Sequence, residues 1–124
     1  MTTRRLPKTF DEFVGAFPDV GRAWEALGKA SRSGPIEARA CELVKLGIAI
    51  GARSEGAVHS ATRKALAAGA KRDELFQVAL LATSTIGIPN AVAAFTWIRD
   101  IAGPPARSTR ATRAPRARSR RAAR

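Results

Sequence analysis

The sequence predicts an all-α domain of about six helices, followed by a disordered basic tail. Three observations predict it. Apolar residues recur at spacings of three and four through most of residues 9–103. No segment sustains the every-second-residue alternation of a half-buried strand. Proline, glycine and capping residues cut the chain into helix-length pieces.

The elements follow in order. Residues 1–8 are an N-terminal lead-in. Thr9 caps a first helix with Glu12 three residues on, the capping-box spacing, and Phe10, Phe13, Val14 and Phe17 share one face. Pro18 ends it, and Asp19 or the turn before it opens a second helix with Val20, Ala23, Trp24 and Leu27 on one side. Ser31 to Pro35 is a break. A third helix runs from Ile36 to about Ala52, starts polar and becomes apolar nearly all round. Ser54 caps a fourth helix that runs to about Ala68, and Gly69 suits its C-terminal turn. A fifth begins near Arg72 or Asp73, and a sixth runs from near Pro89 to about Ile101, before Gly103-Pro104-Pro105. The helical domain is therefore expected over 9–103 and the tail over 104–124.

Composition excludes several functions. The 124 residues carry a formal net charge of +12 with one cysteine and one histidine. One cysteine forms neither an internal disulfide nor a two-cysteine redox pair. One histidine and one cysteine also argue against a zinc site built from such ligands, so no metal and no cofactor is expected. Eight arginines and no acid lie in 104–124, which leaves residues 1–103 at a net +4. The basicity belongs to the tail. Such a tail is drawn to nucleic acid by a salt-sensitive, sequence-independent attraction, since no aromatic side chain interleaves the arginines. The alternative is a solubilising extension.

Leu75 to Ile98 is uncharged over 24 residues, long enough for a membrane span. Its Gln, Thr, Ser and Asn side chains and the central Gly87-Ile88-Pro89-Asn90 instead predict two buried helices. No signal-peptide core follows Arg4 and Arg5, so a cytoplasmic protein is expected. The apolar stretches 43–52 and 75–98 exceed what one small domain hides, which predicts a homo-oligomer.

Chemistry concentrates where the third and fourth helices meet. Glu55 and His59 lie at i and i+4 on one helix face, where a carboxylate can orient an imidazole for acid/base work. Glu42 supplies a second carboxylate, or pairs with Arg39 or Lys45. Lys45 and Arg63 are available to an acidic substrate. Cys41 reads as a small buried hydrophobe. Trp24 and Trp97 are candidates for a pocket wall or for the core.

An ordered set of short segments resembles the carboxymuconolactone decarboxylase family, which includes the AhpD-like alkylhydroperoxidases. It comprises Glu42-Leu43-Val44, Glu55-Gly56-Ala57-Val58-His59-Ser60, Ala65-Leu66-Ala67-Ala68-Gly69-Ala70, Asp73-Glu74-Leu75 and Gly87-Ile88-Pro89-Asn90-Ala91. The resemblance covers roughly 36–101. It implies an all-helical domain, trimers or hexamers, and active sites near subunit contacts.

The departures matter as much. The peroxidase branch looks like a glutamate followed twelve residues later by C-x-x-C-x-x-x-H. Set on Glu42, that pattern places its cysteines on Ser54 and Ala57 and its histidine on Ala61. Thiolate chemistry on peroxides is therefore not available. His59 lies two residues, about 200°, from the position where the decarboxylase branch keeps its histidine. The resemblance leaves two functions open. One is acid/base, lyase-like catalysis on a small organic acid or lactone by His59, Glu55 and Glu42. The other is a non-catalytic oligomeric binding or scaffold protein with a nucleic-acid-contacting tail.

Overall fold

The computed structural model describes residues 8–106. Within them the chain is six helices: α1 (Lys8–Ala16), α2 (Pro18–Ser31), α3 (Ala38–Gly51), α4 (Glu55–Ala67), α5 (Arg72–Ile86) and α6 (Ile88–Ala102). No strand forms among the described residues. The predicted tail contacts fall mostly in 107–124, outside the described residues. No helix among those described is long and apolar enough to cross a membrane.

The helix ends follow local chemistry. The Ser54 hydroxyl accepts from the Ala57 N–H at 3.3 Å, so α4 starts with a side-chain cap. Gly69 adopts φ 92° and lets the Ala70 N–H reach back to the Ala65 carbonyl at 3.0 Å, which closes α4. Glu74 returns its carboxylate to the Lys71 N–H at 2.9 Å and caps α5. Between α5 and α6 the chain reverses on Gly87, at φ 87°, and Asn90 donates to the Ile86 carbonyl at 2.8 Å. Helix α3 begins at Ala38, two residues later than expected from Pro35: Glu37 is extended at ψ 155° and its carbonyl takes the first helical bond, from Cys41.

Helices α3 to α6 build the core, with α4 packed against α3 and α6, and α5 against α3 and α6. Leu46, Val58, Ala65, Leu75, Ala94 and Ile98 are fully buried there. The Thr62 hydroxyl, also buried, donates to the Val58 carbonyl at 2.7 Å, so this buried polar group of α4 is satisfied within its own helix.

The α1–α2 hairpin carries the apolar faces that helical spacing predicts. Its apolar stripe is real, but within one chain it is not covered: neither helix contains a buried residue. Phe13, Phe17, Val20, Trp24 and Leu27 are each at least 43% exposed. The hairpin is held inwardly by the Phe10–Trp24 edge contact, with centroids 6.1 Å apart. It meets the core helices through Lys64 over the Trp24 ring and through the Arg32–Glu42 ion pair. Leu80, Leu81, Ile88 and Val92 also face outward, so α5 and α6 show a second apolar surface. Apolar surface of this extent suits contact with another protein surface.

The start of α3 is clamped to the start of α5 by Arg39, whose guanidinium donates to both Glu74 oxygens, at 2.7 and 2.5 Å. The Lys71 main-chain N–H, and then the Arg39 guanidinium, hold the Glu74 carboxyl below its ordinary value of 4.5. A carboxyl lowered by folding stabilises the native state above its unfolded value, and that contribution vanishes as pH falls through the lower folded value. Thermal unfolding of wild type and Glu74→Gln should therefore differ by a constant amount above pH 4.5 and converge below it. A gap that widens on acidification would contradict this assignment.

Candidate functional site

Helix α4 carries chemistry on two opposed faces. Two residues along a helix turn the side chain by about 200°. His59 therefore points away from the direction shared by Ala57 and Ala61.

On the first face, His59 meets α6. Its Nε2 lies 3.1 Å from Asp100 Oδ2. An ionised carboxylate only accepts, so this bond places a proton on Nε2 and the lone pair of a neutral ring on Nδ1. Glu55 joins from one turn earlier on α4: one donor atom each of Glu55, His59 and Asp100 lie within 4.8 Å of one another. The imidazole is about one-quarter exposed and the Asp100 side chain 44% exposed. Buried neighbours fix the backbone beneath both, Val58 before His59 and Ile98 two residues before Asp100.

Glu55 and His59 share one side of α4, as i,i+4 spacing expects, but the carboxylate bonded to the ring is that of Asp100, which the sequence reading missed. Asp100 is 41 residues from His59. One signal was available. An acidic residue in the last turn of a helix opposes the helix dipole and calls for a partner. Counting only histidine and cysteine as ligands also overlooked the two carboxylates.

Glu42 is not brought into that group. It lies on the α3 stripe that also carries Leu46 and Ala49, and it is only 4% exposed. Its Oε1 is 3.5 Å from Arg32 Nε, while Oε2 is buried without a hydrogen-bond partner. Neither Arg39 nor Lys45 pairs with it: Arg39 is engaged by Glu74 and Glu37. A buried carboxyl oxygen left unbonded works against folding.

On the second face of α4, Ala57, Ser60, Ala61 and Lys64 border a depression of about 370 Å³ together with Lys45, Ile48 and Ala49 of α3, Ala52 just after it and Trp24 of α2. Two of the three positions that fall on the C-x-x-C-x-x-x-H pattern, Ala57 and Ala61, therefore form its wall as methyl groups. The third, Ser54, is the α4 cap. Trp24 is half-exposed and lines this pocket, whereas Trp97 packs against the core. A larger groove of about 520 Å³ runs between α3 and α5, lined mainly by Leu43, Val44, Val78, Leu81 and Ile86. Cys41 stands apart from both pockets; its thiol donates to the Ile36 carbonyl at 3.3 Å.

The first face offers proton transfer: an imidazole with one carboxylate bonded to it and a second close by. The second offers binding, with apolar walls, an aromatic ring and two lysines. Comparison with known proteins agrees with the fold. The model of the carboxymuconolactone decarboxylase family matches residues 18–100. No curated protein and no solved structure matches the chain.

The unbonded Glu42 oxygen makes a stability prediction. Glu42→Met fills similar volume without a stranded oxygen and leaves Arg32 half-exposed to water. It should raise the unfolding free energy by about 1–3 kcal/mol, read by denaturant titration. A loss of stability of that size would instead show that the Arg32–Glu42 pair holds the hairpin to the core.

Proposed function

Because the chain belongs to the carboxymuconolactone decarboxylase family, we propose that it acts on a small organic acid or lactone by acid/base chemistry, with no thiol step. The observation that carries this reading is the His59 Nε2–Asp100 Oδ2 contact at 3.1 Å. His59 moves the proton. Asp100 fixes the tautomer and stabilises the imidazolium formed when the ring takes a proton. Glu55, in the first turn of α4, brings a second carboxylate to the same side. Glu42 stands apart from this group as a buried carboxyl on α3, beside Arg32.

The absence of cysteine at Ser54 and Ala57 supports a proton-transfer reading over peroxide reduction. His59 and Asp100 lie on an open face of one chain. A second copy, seated on the exposed apolar surfaces of α2, α5 or α6, would supply the walls that exclude water from such a site.

The test is a panel of small organic acids and lactones followed by proton-transfer or decarboxylation assays. His59→Ala should lower the rate on any substrate found by about 10²–10⁴-fold. Asp100→Asn should give a smaller loss. An unchanged rate in His59→Ala refutes this assignment.

A second reading is an oligomeric binding protein of the same fold. It is favoured by the uncovered stripe of α2 and by a pocket wall in which Ala57 and Ala61 carry no reactive group. It predicts a trimer or hexamer whose sedimentation mass falls on Leu27→Asp, because a charge buried in an apolar contact is costly. A wild-type protein that sediments as a monomer would remove this reading.

A further inference from the structure

Glu55, His59 and Asp100 have a second capability that the proton-transfer reading does not use. We propose that the three side chains bind one divalent transition-metal cation of the zinc, cobalt or nickel type.

The donor set is the first argument. One imidazole nitrogen and two carboxylate oxygens are the mixed nitrogen and oxygen ligands that such cations take, and the nitrogen favours them over magnesium or calcium. Geometry is the second. Glu55 and His59, one turn apart on α4, form one arm, and Asp100 on α6 forms the other. The donor atoms already lie within 4.8 Å of one another, so small side-chain rotations bring all three onto one ion. Because Val58 and Ile98 are fully buried, the two backbones are fixed before any ion arrives.

Charge is the third. Two carboxylates converge on one imidazole, and the Nε2 proton of that ring bridges His59 to Asp100. A dication takes that place on Nε2 and neutralises both acids, while the neutral ring carries its one proton on Nδ1 instead. The neighbouring cation is turned aside: Arg99 lies over the Phe95 ring, 5.8 Å from its centroid. Three protein ligands leave coordination positions open toward solvent, because Glu55 and Asp100 are exposed.

Cation binding uses the same three residues as the proposed catalysis but is measured without substrate, so either reading can fail alone. The sequence makes the experiment clean. Residues 1–7 and 107–124 contain no His, Cys, Asp or Glu, and the chain has one histidine and one cysteine. Full-length protein stripped with chelator is titrated with Zn²⁺ by calorimetry and with Co²⁺ by visible absorption.

Saturable uptake of one ion per chain is expected, and it should disappear in His59→Ala. Asp100→Asn and Glu55→Gln should each weaken it by about 10–100-fold, at least the loss usual for a residue that only supports a metal ligand. Cys41→Ser should bind as wild type does. Circular dichroism of each variant separates loss of the site from loss of the fold. No saturable uptake, or uptake that survives in folded His59→Ala and Asp100→Asn, overturns the proposal.

Discussion

The close packing of α4 is the constraint on which the rest of the structure depends. It touches α3, α5 and α6, and it does so with Val58, Ala61, Thr62 and Ala65, all small or medium in size and all buried. Small side chains let neighbouring helices approach closely, and the internal bond of Thr62 keeps the one polar group there satisfied. A helix held this tightly cannot rotate to present one face in place of another. The two-residue step from His59 to Ala61 therefore puts their side chains on different faces. The imidazole is committed to α6, and the methyl groups to the pocket beside α3 and Trp24.

That separation explains what the family pattern means in this chain. The positions on which the C-x-x-C-x-x-x-H pattern falls are a cap, Ser54, and two methyl-lined wall positions, Ala57 and Ala61, in this chain. The pocket survives as a shape with two lysines and an indole. The titratable group, His59, lies on the other side of the helix, near Asp100 and Glu55. Only Glu42 keeps its place in the pattern, at the energetic expense of an unbonded buried oxygen. Groups that work against stability in this way are concentrated at functional sites.

Much of this was legible in the residues. The helix limits were visible because capping serine, C-terminal glycine and proline act locally, through single hydrogen bonds and fixed dihedral angles. The placing of Glu55 and His59 on one side of α4 was visible because i,i+4 spacing on a helix is a local rule. Asp100 was not, since its contact with His59 spans 41 residues and no spacing rule operates over that distance. The fate of Trp24 was not visible either. An amphipathic stripe says that a helix has an apolar side, and it does not say whether the same chain will cover that side.

The sequence by itself determined the helices, their order and the loss of thiol chemistry, because each follows from local backbone physics or from a count of side chains. Tertiary structure alone decided which polar groups meet. It brought Asp100 to His59, buried Glu42 with a single weak partner, and left the α1–α2 stripe and the outer faces of α5 and α6 uncovered. The physical reason is that contacts between helices depend on how they cross and how closely small residues let them approach. Those quantities are properties of the packed set, and no single segment carries them.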